Sequence, residues 1–135
     1  MSNALNLLGL ARRGGNIALG EDSVAEACKT GKAVVVFLAS DAGETTANRG
    51  RKMAETAAVP WTVIPFTRAE LGFALGRAAC ALAALTDRGL ARSVLQKLGV
   101  EDEAFLAMAE QLADRKERRN NQKQTVRVSK KPADR

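Results

Sequence analysis

Near the start of the chain Ala4, Leu7, Leu8 and Ala11 recur at steps of three and four, which places one apolar stripe on a helix. Arg12-Arg13-Gly14-Gly15 breaks that pattern. A second helix is expected after Gly20, with Val24, Ala27 and Cys28 on its buried side and Gly31 placed to stop it. The piece 16–19 between the two reads as a short edge strand. At 33–39 the pattern becomes an unbroken apolar run, AVVVFLA, rich in β-branched residues. Such a run suits a central strand covered on both faces, so helices are expected on both sides of the sheet. Residues 41–57 read as a third helix that buries Thr46, Gly50, Met53 and Ala57 and leaves Arg49 and Lys52 outside. Its Gly50 suggests close contact with another helix.

The run 61–64 is a further strand, closed by Pro65. Thr67 is the expected N-cap of the next helix. Its hydroxyl can accept from the backbone of Glu70, Glu70 can reach back, and Phe66 can staple against Leu71. Residues 80–85 form another buried strand. Thr86-Asp87 then caps a helix that buries Leu90, Val94, Leu95 and Leu98 before Gly99 ends it. A last helix, from about 101 onward, carries Phe105, Met108, Ala109 and Leu112 on one face. Alternation of this kind predicts an α/β fold, a three-layer αβα sandwich around a mixed sheet of about four strands, followed by a C-terminal helix and a basic tail.

Composition narrows the chemistry. With 135 residues, 46% hydrophobic and only 4% aromatic, the chain can form one domain with a core of Ala, Val and Leu. The absence of His removes imidazole bases, His-ligated zinc and Ser-His-Asp triads. Cys28 and Cys80, each in an apolar stretch, read as reduced, buried side chains rather than a disulfide or thiolate site. Ser93, Lys97 and the scattered carboxylates lack the paired spacing of acid–base catalysis, and Gly76-Arg77-Ala78-Ala79 lacks the Gly-Lys-Ser/Thr ending of a phosphate-binding P-loop. No catalytic residue, metal or cofactor is therefore expected. The chain has no apolar run near the roughly 20 residues that span a bilayer, and its opening lacks the build of a signal peptide. A cytoplasmic protein with no membrane partner, a monomer, is the expectation.

The formal charge of +6 is unevenly placed. Residues 115–135 hold nine Lys or Arg against two acids, whereas residues 1–114 hold twelve against thirteen. A basic tail attracts phosphates without regard to sequence, and Arg115, Lys116, Arg118 and Arg119 are its candidate phosphate contacts. The expected partition is a domain at 1–99, a C-terminal helix at 100–119, and a disordered tail at 120–135 with too little to bury to offset its ordering entropy.

Four segments, LNLLGLARRGGNIALGE, TGKAVVVFLASDAGE, FTRAELGFALG and ALTDRGLARSVLQKL, stand in an order and spacing that resemble the large-subunit ribosomal protein seven-Ae family, especially its bacterial YlxQ-like branch. The resemblance spans roughly residues 5–98. It implies an αβα sandwich, no catalysis, and recognition of structured RNA, in much of the family the kink-turn, a bent helix with sheared G·A pairs. It also implies RNA contacts from the turn into the second helix, from that helix's first turn, and from the loop after the ELG motif. Those positions here are 12–26 and 76–79.

The residues have a physical rationale of their own. A helix N-terminus offers free N–H groups and a partial positive end to a phosphate. Arg12, Arg13, Lys32 and Arg77 can add charge, and Gly14-Gly15 either lets a backbone approach closely or serves a turn with positive φ. The candidate RNA-binding set is Arg12, Arg13, Gly14, Asn16, Gly20, Asp22, Ser23, Glu26, Lys32, Arg77, Ala78 and Ala79. Where the family's kink-turn readers carry Asn-Glu-x-x-Lys, this chain has Asp22, Ser23 and Glu26. Asp22 can still accept from base amino groups, while the acids Glu21, Asp22 and Glu26 repel phosphates and stabilise a helix's first turn. A non-catalytic RNA-binding protein is the leading expectation, with the ribosome or RNA-processing proteins as further partners. The alternative is a ribosome-associated adaptor that kept the fold without reading bases. A third reading, the recognition part of an RNA-modifying system, places any catalysis on another chain.

Overall fold

The structure, a computed structural model, describes residues 3–100 and 102–112. Its elements follow the chain as α1 (Asn3–Arg13), β1 (Ile17–Leu19), α2 (Gly20–Lys29), β2 (Val35–Leu38), α3 (Glu44–Thr56), β3 (Trp61–Val63), α4 (Arg68–Leu75), β4 (Leu82–Leu85) and α5 (Arg88–Leu98). A sixth helix, α6, covers 103–112. The sheet order is β1-β4-β2-β3, with β4 antiparallel to both neighbours and β3 parallel to β2.

The apolar run keeps its promise because side chains alternate across a strand. Val35, Phe37 and Ala39 join Ala83 and Leu85 in a core shared with α1, α4, α5 and α6. Val36 and Leu38 join Leu82 and Ala84 in a second core under α2 and α3, with Val24, Ala27, Cys28 and Ala54. All four residues of β2 and of β4 are buried, so the expected αβα sandwich is the observed one.

Local signals set the helix ends. The Thr67 hydroxyl accepts from Glu70 N at 3.1 Å while Glu70 Oε1 accepts from Thr67 N at 2.8 Å, completing the capping box. Asp87 Oδ2 accepts from Leu90 N at 2.8 Å and starts α5. A cap of either kind contributes about 1 kcal/mol. Phe66 packs on the core cluster that contains Leu71.

Several expectations are corrected. Helix α3 starts at Glu44 rather than 41, because Asp41 serves another helix: its Oδ1 accepts from Arg68 N at 2.7 Å and lies 3.6 Å from Arg68 Nε. The innermost positions of α3 are Gly50 and Ala54, and Thr46, Met53 and Ala57 are half-buried around them. The close approach at Gly50 is to the sheet, since a Cβ there would stand 2.7 Å from Leu82 Cδ1 and 3.1 Å from Leu38 Cδ2. In α1 the buried stripe runs through Leu5 as well as Ala4, Leu8 and Ala11, leaving Leu7 half-buried. In α5 Ala91 is buried where Leu90 is only half-buried, and Met108 is half-buried beside Phe105, Ala109 and Leu112 in α6. The extension of α6 past 112 and the expected tail at 120–135 lie outside the described residues.

Candidate nucleic-acid interface

Topology decides which candidate residues meet. Strand β1 ends opposite the beginning of β4, with Leu19 paired to Ala83, so the start of α2 and the loop leading into β4 share one end of the sheet. Gly20 makes the sharp entry to α2 with φ of 87°, a backbone conformation that a side chain would strain. Leu19 occupies the N-cap position and supplies no side-chain hydrogen bond, so no side chain caps α2's first turn. Against this end stands Arg77: a Cβ built on Gly20 would lie 3.6 Å from Arg77 Nη1.

The position of Arg77 is itself set by glycines. Gly76 ends α4 in the left-handed conformation, φ 73°, and Arg77 N then donates to Gly72 O at 2.7 Å. Gly72 makes room for the returning chain, since a Cβ there would stand 2.7 Å from Ala79 Cα and 2.8 Å from both Ala79 N and Arg77 O. Cys80 N donates to Arg68 O at 2.9 Å, pinning the loop along the side of α4. Gly72 was not among the sequence candidates. A glycine inside a helix otherwise made of good helix formers was its signal.

Gly76, Arg77, Ala78 and Ala79 are all exposed, as are Asp22 and Ser23 on the first turn of α2 and Glu26 one turn further. Glu21, which the sequence places among three like charges, is turned away. Its carboxylate pairs with Arg49 Nη1 at 3.0 Å and accepts from the Thr46 hydroxyl at 3.3 Å, both on α3. That leaves Asp22 and Glu26 as the acids facing solvent, with no ion pair among the described residues.

A second group sits at the other end of the sheet. Asn16 O accepts from Thr86 N at 2.9 Å beyond the end of β4, and Val34 N, just after Lys32 and Ala33, donates to Leu85 O at 2.8 Å. At roughly 3.3 Å of rise per extended residue, Asn16 and Gly20 stand about 13 Å apart. Arg12, Gly14 and Lys32 belong with Asn16, all exposed but Asn16, which is half-buried. The bland role of the diglycine turn is real: Gly15 has φ of 74°, and Gly14 N and Asn16 N donate to Leu10 O and Ala11 O. Arg13 differs from Arg12, because its guanidinium folds back along α1, 3.8 Å from where a Cβ on Gly9 would sit. Arg115, Lys116, Arg118 and Arg119 lie outside the described residues.

Elsewhere the described residues offer little chemistry. Among them, no group of three or more His, Cys, Asp or Glu is placed to hold a metal ion, and no helix is long and apolar enough to cross a membrane. Burial pushes both thiols above the ordinary range, with a smaller opposing effect at Cys80 from its hydrogen bond to Leu82 O and from Arg77. Both cysteines are free. An open groove of about 590 Å³ lies between α2 and α3, floored by Ala25, Cys28, Met53 and Ala57 and rimmed by Lys29, Arg49 and Lys52.

Comparison with known proteins places this geometry among relatives. The sequence profile of the ribosomal protein L7Ae/L30e/S12e/Gadd45 family matches residues 2–94. The chain is 34% identical over 92 residues to the RNA-binding protein YlxQ of Bacillus subtilis (strain 168), an alignment covering 68% of this chain and 91% of that protein. A protein of unknown function from Bacillus halodurans has a solved structure that superposes with a TM-score of 0.67 at 30% identity, over 73% of this chain and 98% of the other. The 15.5kD RNA binding protein of Giardia lamblia shares the fold, with a TM-score of 0.58 and 23% identity over 75% of this chain and 85% of that one.

Proposed function

The chain belongs to the ribosomal protein L7Ae/L30e/S12e/Gadd45 family, and from that membership we propose that it is a non-catalytic, cytoplasmic, monomeric RNA-binding protein that grips structured RNA. The RNA is of the kink-turn or ribosomal kind, held between the first turn of α2 and the loop 76–79. The observation that carries this reading is the Arg77 guanidinium beside Gly20, at a helix start that no side chain caps. The uncapped start of α2, its positive end and a neighbouring cation converge there on the space a phosphate would take. Asp22, exposed on the same first turn, is an acceptor for base amino groups. Glu26, standing where the family's readers carry Lys, weakens the phosphate attraction and favours an RNA chosen by shape and amino-group donors.

The basic tail adds a separate, sequence-independent attraction through Arg115, Lys116, Arg118 and Arg119. Binding to a kink-turn RNA is therefore expected to fall steeply with salt, and Arg77→Ala is expected to weaken it at every salt concentration. Equal binding by Arg77→Ala and the unaltered chain removes the reading.

The adaptor alternative has one observation in its favour, the cation-rimmed groove between α2 and α3, which suits an acidic protein segment. Co-sedimentation with ribosomes that survives nuclease and is lost in Lys29→Glu, Lys52→Glu would support it.

A further inference from the structure

The chain has five aromatic residues, four Phe and one Trp. Phe37 and Phe105 are buried in the core, and Trp61 and Phe66 are half-buried against it. Phe73 is different, with 75% of its surface in water. It stands on α4, in the ELGFALG stretch, one residue after the Gly72 against which the 77–79 loop is packed. Successive residues of a helix are turned by about 100°, so Phe73 faces outward beside the loop rather than under it. Ala69, one turn earlier on the same face, is exposed and small and leaves the ring open on that side.

We propose that Phe73 is a stacking platform for an unpaired base of the bound RNA, extending the α2 and 76–79 contact onto the outer face of α4. This rests on the RNA reading above and adds a contact that reads unpaired bases to one that holds backbone. Its occupant is argued from continuity and charge. Gly72 packs on Ala79 and Arg77, and Phe73 follows it on α4 with its ring in water, so a strand held at Gly20 and Arg77 that crosses the loop has an exposed aromatic face on the neighbouring helix. The cation at Arg77 holds the backbone while the ring accepts the face of a base that pairing has released. Every base has such a face, so the contact favours bulged or single-stranded nucleotides without choosing among them.

The test is fluorescence anisotropy on the full chain with three labelled probes: a kink-turn RNA with its unpaired bulge, the same RNA made fully paired, and a short single-stranded RNA. Phe73→Ala is expected to weaken binding to the bulged and single-stranded probes about tenfold, in keeping with the loss of one stacked base. It should leave the paired probe unchanged. Phe73→Trp is expected to restore the lost affinity, and the thermal unfolding midpoint should be the same in all three proteins because the ring is exposed. If Phe73→Ala binds the bulged RNA as the unaltered chain does while Arg77→Ala does not, the stacking proposal is wrong and the RNA reading stands. Equal weakening on paired and bulged probes also overturns stacking. If the unaltered chain binds none of the probes, both proposals fall together.

Discussion

The guanidinium of Arg77 stands 3.6 Å from where a Cβ on Gly20 would lie, across the end of the sheet, although 57 positions separate the two residues in the chain. The contact joins two loops that are distant in sequence because β1 and β4 are antiparallel partners, with Leu19 opposite Ala83. A side chain at Gly20 would meet both a strained φ and Arg77.

Gly20→Ala is expected to cost about 1 kcal/mol of stability through its strained φ and to weaken RNA binding by placing a methyl group between Arg77 and the start of α2. Gly31→Ala is the control, since Gly31 has φ of 77° with nothing within 4 Å of its Cβ position and lies at the end of α2 away from Arg77. It should cost a similar amount, read by denaturant titration, and leave RNA affinity intact. Equal loss of affinity in both variants would mean that stability alone governs binding.

Gly72→Ala pushes a methyl group into the backbone of Arg77 and Ala79, neither of which can move aside as a flexible side chain would. A loss of about 1–3 kcal/mol is expected, with altered amide chemical shifts concentrated in 76–80. A variant as stable as the unaltered chain would show that the loop is not held as described.

Much of this was legible in the sequence where the cause is local. The run at 33–39 implied a two-sided strand because nothing in it tolerates water. Thr67 and Glu70 implied a helix start because both capping partners lie within one turn. What could not be read was pairing across distance. Asp41 looked like the opening of α3, and only the fold brings it to Arg68, 27 residues on. Glu21 looked like one of three repelling acids until α3 supplied Arg49. Gly50 announced a close contact but not that its partner is the sheet. The candidate interface was similarly half visible: the family resemblance pointed to 12–26 and 76–79, whereas the division between the Gly20 and Asn16 ends follows from the strand pairing alone.

Thr67→Ala removes the hydroxyl that accepts from Glu70 N, while the backbone N–H of residue 67 can still donate to Glu70 Oε1. A loss of about 1 kcal/mol is expected in chemical denaturation, with hydrogen exchange rising first in the opening turn of α4. No change in either would show that the packing of Leu71 and Leu75 holds that helix start unaided.

Cys28 and Cys80 link stability to alkaline pH. Burial raises both thiols above the value they have in the unfolded chain. Their contribution is complete below the ordinary thiol range. As pH climbs through that range the unfolded chain gives up protons that the folded chain retains, so stability falls. The slope of stability between about pH 8.5 and 10 should be shallower in Cys28→Ala, Cys80→Ala than in the unaltered chain. Identical slopes would place the alkaline loss on other groups.

The most direct test of an RNA-gripping domain is ultraviolet crosslinking in cells, with sequencing of the RNA recovered by three full-length proteins. These are the unaltered chain, Arg77→Ala, and a chain with Arg115, Lys116, Arg118 and Arg119 changed to Gln. The account predicts that the unaltered chain recovers a defined set of structured RNAs, that Arg77→Ala loses that set, and that the neutralised tail recovers the same set at lower yield. A diffuse set that survives Arg77→Ala and vanishes with the tail charges would contradict it, leaving the tail as the RNA-binding element and the αβα domain without an RNA-reading role.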